Sequence, residues 1–128
     1  MKLLLDTHTL LWYVNRDARL SPTAKTLIDD PVNEQIVSVV SLWEITIKHS
    51  HGKLTLTMPL ANLLALSSAQ NPFHLLPIEP AHLLTLSQLP YHHNDPFDRL
   101  LAAQAIADKL PIVSIDAALG AYGVQRLW

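Results

Sequence analysis

Four carboxylates, spread over most of this 128-residue chain, fall where a strand is expected to end or a helix to begin: Asp6, Glu44, Asp98 and Asp116. In a parallel α/β fold these positions share one edge of the sheet, so distant acids would meet in one crevice. Carboxylates within about 5 Å of one another repel by roughly 3 kcal/mol per pair at an effective dielectric constant near 20. Such a cluster takes up protons or binds cations. Because all the ligands are oxygens, the residues predict a site for Mg²⁺ or Mn²⁺.

The chemistry predicted for such a site is hydrolysis of a phosphodiester. One or two divalent ions would orient a water molecule, favour its deprotonation and neutralise charge on the substrate as the leaving oxygen departs. Three residues adjacent to one of the acids, or two positions from it, are the candidate substrate contacts: Arg99, Ser114 and Thr7. Other basic residues could also contact phosphates: Lys48, Lys53 and Arg126.

Each acid also has an ordinary structural interpretation as part of a helix start. Asp6 and Asp116 can cap the helices that follow them. Ser41-x-x-Glu44 has the spacing of a capping box. In Asp95-Pro96-Phe97-Asp98 the first residue is a suitable N-cap, proline fits the first helical position, and the helix dipole favours the second acid. We assign the structural role in that segment to Asp95.

Apolar runs and helix signals alternate along the chain. This alternation favours crossover units on a parallel sheet. The predicted strands are 2–5, 35–40, 74–78, 112–115 and a possible last one at 124–128. The predicted helices lie around 10–14, at 22–29, from Ser41 towards Gly52, and at 60–69, 80–89 and 97–109.

Asp98 does not directly follow a strand, so its position needs a geometric check. A nine-residue helix descends about 13 Å at 1.5 Å per residue, and an extended eight-residue connector spans up to about 26 Å. The connector after Leu89 is therefore long enough to return the chain to the carboxyl edge of the sheet, where Asp98 would join the other acids.

Composition limits the class of protein. The length and the 49% of hydrophobic residues predict one globular domain, residues 1–128. The absence of cysteine excludes disulfides and Cys-based zinc sites and suits a cytoplasmic location. The apolar run at the amino terminus is too short for a signal or membrane segment. A net charge of −2 disfavours nucleic-acid binding by counterion release alone.

Seven histidines suggest a rival metal site, at His49 and His51 or at His92 and His93. The first pair falls at a predicted helix end, where cationic histidine is favourable to the dipole. The second pair precedes Asp95 in a loop, where it could touch the substrate or lie in solvent.

Four segments in order resemble a PIN-domain nuclease, most closely the VapC-like toxins of bacterial toxin-antitoxin pairs: LLLDTHTLLW, SLWEITIKHSHGKL, HHNDPFDRLLAAQA and LPIVSIDAAL. The resemblance implies a three-layer α/β/α fold with a five-stranded parallel sheet in the order 3-2-1-4-5. It also implies an Mg²⁺- or Mn²⁺-dependent ribonuclease, often a homodimer, inhibited by a cognate antitoxin. Motif by motif, the family's acids correspond to Asp6, Glu44, Asp98 and Asp116, and Asp95 could share in metal binding.

Three other functions compete with this interpretation. A response-regulator receiver would need two adjacent acids after the first strand, a phosphoacceptor Asp after the third and a Lys after the last central one, and this chain lacks that pattern. A catalytically silent binding module need not keep four like charges together. An Asp-x-Asp phosphohydrolase is disfavoured because the second residue after Asp6 is His8.

Overall fold

A computed structural model describes residues 1–67 and 73–128. Its five strands form one sheet in the order β3-β2-β1-β4-β5, and every strand pair is parallel. This confirms the expected sheet, and it differs from the order 2-1-3-4-5 of receiver-type folds. The strands are β1 (Lys2–Leu5), β2 (Glu34–Ser38), β3 (Phe73–Leu76), β4 (Ile112–Val113) and β5 (Arg126–Leu127).

Helices cover both faces of this sheet, because apolar side chains on β1 alternate between two cores. Leu3 and Leu5 pack in one hydrophobic cluster and Leu4 in the other, and all three are fully buried. The helices are α1 (Thr7–Val14), α2 (Pro22–Asp29), α3 (Val39–Ser50), α4 (Leu60–Leu64), α5 (Pro80–Gln88) and α6 (Pro96–Ala107), with 3-10 turns at Ala65–Ser67 and Ala117–Tyr122.

The register of the sheet aligns the ends of its central strands. Leu5 of β1 lies beside Val37 of β2 and Val113 of β4. Asp6, Ser38 and Ser114 are therefore the next residues on three neighbouring strands, at the same edge. The start of α6 also reaches this edge, as the connector length predicted.

The second strand is present, but its predicted end at residue 40 and the predicted helix start at Ser41 were wrong. β2 ends at Ser38, and α3 begins at Val39. The N-cap is Ser38, whose Oγ accepts a hydrogen bond from the Val40 backbone N–H at 3.0 Å. The β-branched pair after it favours a strand by propensity, but this cap and the register with β1 end the strand earlier.

Other element boundaries shifted by a few residues. α1 begins at Thr7 rather than near Leu10, because Asp6 caps it. β3 ends before Pro77, which has no N–H to offer a sheet. The predicted helix at 60–69 becomes α4 and a 3-10 turn, and its last two residues lie outside the described ranges. β4 and β5 are each two residues long.

Across the described ranges, no helix combines the length and the apolar character needed to cross a bilayer.

Candidate metal centre

Asp6 is held at the carboxyl end of β1 by hydrogen bonds to both carboxylate oxygens. Oδ1 accepts from the Thr9 backbone N–H at 2.8 Å, which caps α1. Oδ2 accepts from the Ser114 hydroxyl at the end of β4. The side chain is buried, and burial raises its pKa, although these hydrogen bonds oppose the shift. The predicted cap is therefore present, and one carboxylate oxygen also joins two strands.

Glu44 lies on the second turn of α3, and its side chain turns inward. Oε2 accepts a hydrogen bond from Lys48 Nζ at 2.7 Å, a pair with i,i+4 helical spacing. Oε1 is buried and has no hydrogen-bond partner among the described residues. The predicted capping box is wrong because Ser41 lies inside the helix, where its Oγ accepts a hydrogen bond from Thr7 Oγ1 at 3.0 Å. A buried carboxylate oxygen without a partner is costly unless a cation or a proton occupies the position beside it.

Asp95 has the structural role predicted for it, and Asp98 lies beside it on α6. Asp95 Oδ1 accepts from the backbone N–H groups of Phe97 at 2.8 Å and Asp98 at 3.0 Å, so it caps α6. Asp98 lies in the first turn with its side chain 25% exposed. Burial, and then the negative charge of Asp95, raise the pKa of Asp98 to about 7, against the opposing effect of His93.

Electrostatics show that the distant acids do converge. Glu44 and Asp6 add smaller increments to the raised pKa of Asp98. Asp95 and Asp98 in turn contribute to the raised pKa of Lys48, whose main cause is its hydrogen bond to Glu44. Carboxylates from the ends of β1, α3 and α6 therefore share one region of negative potential.

Asp116 joins the same region from the end of β4. Its Oδ1 accepts from the Ala118 backbone N–H at 2.9 Å, so it caps the 3-10 turn, and its own N–H donates to Ser114 Oγ at 3.0 Å. Ser114 is completely buried between Asp6 and Asp116. Its hydroxyl therefore ties together two of the predicted site acids.

His93, which the sequence offered with His92 as a loop residue near the substrate or in solvent, contacts two of the site acids. Its Nε2 lies 2.8 Å from Asp116 Oδ2 and 3.2 Å from Asp98 Oδ2. Because Nδ1 accepts a hydrogen bond from the Asp95 backbone N–H at 3.0 Å, the proton of the neutral ring belongs on Nε2. In that tautomer the Nε2–H donates to Asp116 Oδ2, with Asp98 Oδ2 in contact, and Nε2 has no lone pair to offer a metal ion.

Within the described part of the chain, the donors grouped closely enough to hold one ion are those of His93, Asp98 and Asp116, all within 4.8 Å of one another. His49 and His51 lie at the end of α3, where His51 is the C-cap, and are not in this group. In the sequence, the signal for a site role of His93 is its place in the loop before Asp95. The signal for the Glu44–Lys48 ion pair is the i,i+4 spacing of the two residues.

All three candidate substrate contacts are engaged within the protein, Ser114 through its hydrogen bonds with Asp6 and Asp116. Arg99 is buried, donates to the carbonyl of Pro90 at 2.8 Å, and lies 3.8 Å from the centre of the Tyr91 ring. Thr7 is buried, and its hydroxyl donates to Ser41. We therefore assign Arg99 to holding the connector before α6, and its predicted contact with substrate stays untested.

The donor set suits a hard divalent cation. Asp98 and Asp116 belong to the close group, and Asp6 and Glu44 lie outside it but add carboxylates nearby. Mg²⁺ and Mn²⁺ prefer such oxygens to nitrogen or sulfur. A cation would also satisfy the buried Glu44 Oε1 and offset the repulsion that contributes to the raised pKa of Asp98. The residues present therefore fit the metal that their pattern predicted.

The structure is a five-stranded parallel α/β fold with acids at the carboxyl edge of its sheet. The family model for the PIN domain matches residues 3–124. The chain belongs to the PIN domain family. No curated protein matches the sequence.

Three solved structures are similar over almost the whole chain. VapBC2 from Rickettsia felis, bound to a DNA fragment from their promoter, has a TM-score of 0.71 at 14% identity, covering 99% of this chain and 98% of that one. FitAcB from Neisseria gonorrhoeae has a TM-score of 0.70 at 17% identity, covering 98% of this chain and 96% of that one. FitAB bound to an IR36 DNA fragment has a TM-score of 0.69 at 17% identity, covering 98% of this chain and 93% of that one. At these identities the likeness shows the fold.

Proposed function

We propose that this PIN domain is an endoribonuclease that hydrolyses RNA phosphodiester bonds with Mg²⁺ or Mn²⁺. The observation that carries the proposal is a cluster of acids at one edge of the sheet. Ligand atoms of Asp98 and Asp116 lie within 4.8 Å of one another, and the charges of Glu44 and Asp6 add to the raised pKa of Asp98. A fold of this kind serves unrelated functions, so the proposal rests on these side chains together with family membership.

The protein's own residues would hold the site in a defined arrangement. Ser114 and the Thr9 N–H orient Asp6, and Lys48 orients Glu44. His93 keeps Asp98 and Asp116 together despite their like charges. A divalent ion bound by the four acids would supply charge neutralisation and a water molecule of lowered pKa. Asp95 caps α6, so it would hold the start of that helix, and with it Asp98, in place rather than bind the ion.

The test is cleavage of a labelled single-stranded or structured RNA by purified protein freed of any partner. We expect cleavage with Mg²⁺ or Mn²⁺, none in EDTA, and at least a 100-fold loss, a scale estimated as roughly that of removing one positioned catalytic group, for Asp6→Asn and Asp98→Asn. Asp30→Asn is the matched control, because Asp30 is an exposed acid after α2. Cleavage by both site variants at the wild-type rate, or full activity in EDTA, would refute the proposal and point to a silent module.

We further propose that the chain is the toxin of a cytoplasmic toxin-antitoxin pair. VapBC2 and FitAB, the neighbours in fold, are two-component assemblies seen with DNA fragments. By analogy, a cognate antitoxin would bind this chain and block cleavage. Co-expression with the product of a neighbouring short reading frame should give a stable complex without ribonuclease activity. Failure of every such neighbour to bind or inhibit would remove the toxin assignment and leave the nuclease assignment standing.

A homodimer is the proposed state of this chain. Large apolar side chains on β3, the loop after it and α5 are exposed: Leu75, Ile78, Leu83 and Leu84. Exposed apolar groups of this kind are common at interfaces between subunits.

A further inference from the structure

A second concavity adjoins the carboxylate cluster and carries the opposite charge. It is a groove with a volume of about 720 Å³, lined by one face of α1, by residues just after α1 and by the segment that follows α3. We call it the basic groove. Thr7, which follows Asp6, lines one end of it, and Lys48 does too. Because Lys48 Nζ is 2.7 Å from Glu44 Oε2, the groove begins at the predicted metal centre.

Three of the nine basic residues of the chain line this groove: Arg19, Lys48 and Lys53. The chain as a whole has a net charge of −2, so this concentration is local. Asp17 is the carboxylate found in the groove lining of the described chain, and Arg19 engages it through two hydrogen bonds of 3.1 and 2.7 Å. The groove therefore has a net positive charge next to a negative site.

The walls of the basic groove are already fixed in place. Asn15, the C-cap of α1, donates to the Thr55 carbonyl at 2.9 Å and accepts from the Thr57 N–H at 3.1 Å. Gly52, with a φ of 67°, makes the left-handed turn that brings the chain back after α3 and places Lys53 on the groove. A ligand would not have to order this segment on binding.

The floor of the groove has flat groups beside its charges. The Arg19 guanidinium lies 5.1 Å from the centre of the Trp12 ring, and Asp17 holds it there. The exposed His8 ring packs on the other part of Trp12, with 5.6 Å between ring centres. Trp12 itself is buried beneath these two groups, so the exposed His8 ring and the Arg19 guanidinium are the flat surfaces that the groove offers. Cations beside flat groups in a groove suit single-stranded nucleic acid, which binds through phosphates and stacked bases.

We propose that the basic groove binds the strand of single-stranded RNA that continues from the scissile phosphate, with phosphates on Lys53 and Arg19. This proposal rests on the proposed ribonuclease function and names where its substrate lies. The volume of the basic groove falls within the range of pockets that enclose a ligand of moderate size, so the groove would hold a short stretch of the strand. An acidic peptide would also pair with these cations, so binding of a protein inhibitor is measured as a separate outcome.

The test is fluorescence anisotropy of a labelled single-stranded RNA in EDTA, where binding is measured without cleavage, at several salt concentrations. Arg19→Gln and Lys53→Gln should each weaken binding roughly fivefold at about 0.1 M salt and reduce the slope of log K against log salt by about 0.7. Lys2→Gln is the matched control, because Lys2 is exposed at the amino end of β1, the opposite edge of the sheet. With Mg²⁺, the groove variants should raise KM and leave kcat unchanged.

The outcomes separate this proposal from the ribonuclease assignment. If the wild type cleaves RNA and the groove variants bind and cleave like Lys2→Gln, the groove proposal is wrong and the nuclease stands. If the groove variants keep RNA binding but lose binding of a protein inhibitor, the groove is a protein site, and the proposal is again overturned. If the wild type neither binds nor cleaves RNA, both proposals fall.

Discussion

At the scale of single residues, the site combines like charges that the fold forces together. Asp98 shows this most clearly, because burial and three neighbouring carboxylates raise its pKa to about 7. The ordinary value is 3.8, so between these two pH values the folded protein binds a proton that the unfolded chain releases. Ionising Asp98 therefore costs stability, and the loss develops as pH rises from about 4 to about 7.

We predict that Asp98→Asn stabilises the metal-free protein at about pH 8 and has little effect near pH 4. The amide cannot ionise, so the variant avoids a repulsion on the order of 2 kcal/mol. Thermal unfolding in EDTA at the two pH values measures the difference, with Asp30→Asn as the control. Equal unfolding temperatures for wild type and Asp98→Asn at pH 8 would show that Asp98 is not under electrostatic strain.

His93 gives a second prediction for a single residue. In the metal-free protein its Nε2–H donates to Asp116 and lies against Asp98, so His93→Ala should destabilise the fold by about 1–3 kcal/mol, the cost of losing a hydrogen bond to a charged group. Saturating Mn²⁺ should shrink that loss, because a cation then offsets the same charges. His92→Ala is the control, since the His92 ring packs against Tyr122. A loss that is the same with and without Mn²⁺ would place His93 outside the metal centre.

At the scale of elements, the site depends on where strands stop and helices start. α3 begins at Val39, capped by Ser38, and that early start puts Glu44 on its second turn with Lys48 one turn further on. The Ser38 hydroxyl also donates to Gln104 Oε1 at 2.5 Å, which ties the start of α3 to the middle of α6. Two helices that carry site acids are thus joined by a single buried hydroxyl.

Ser38→Ala should therefore destabilise the protein more than Ser41→Ala. The first change removes a helix cap, worth about 0.5–2 kcal/mol, and leaves a buried Gln104 oxygen without its donor, for about 2–3 kcal/mol in total. The second removes one contact with Thr7 and should cost about 1 kcal/mol. Chemical denaturation of both variants measures the order. The reverse order would support the capping box at Ser41 that the sequence suggested.

At the scale of the whole molecule, the parallel sheet and its two covering layers bring acids from four parts of the chain to one edge. The same architecture leaves apolar groups exposed along β3 and α5. Leu84 is 63% exposed there. A second copy of the chain packed against these groups would remove apolar surface from water.

We predict that Leu84→Glu converts a dimer into a monomer, because the carboxylate would be buried unpaired in an apolar interface. Light scattering after size-exclusion chromatography measures the mass. Val32→Glu is the control, since Val32 is 77% exposed in the turn after α2. A wild type that is monomeric at high concentration, or a Leu84→Glu variant that stays dimeric, would contradict the prediction.

The sequence by itself determined the features that depend on short stretches of chain. Apolar runs ending in an acid located β1 and its carboxylate, and Ser21-Pro22 and Asp95-Pro96 located the starts of α2 and α6, because caps and burial act within a few residues. The four motifs also carried the family, and with it the order of the strands.

Tertiary structure decided what depends on groups distant in the chain. Ser38 caps α3 in place of Ser41 because the pairing of β2 with β1 ends at Val37 and the Ser38 hydroxyl donates to Gln104. Neither contact is visible in the local sequence pattern. Likewise, the role of His93 follows from the positions of Asp98 and Asp116, which both lie beside its Nε2. A side chain's partners at an edge of a sheet are set by which strands lie side by side, and that is a property of the folded molecule.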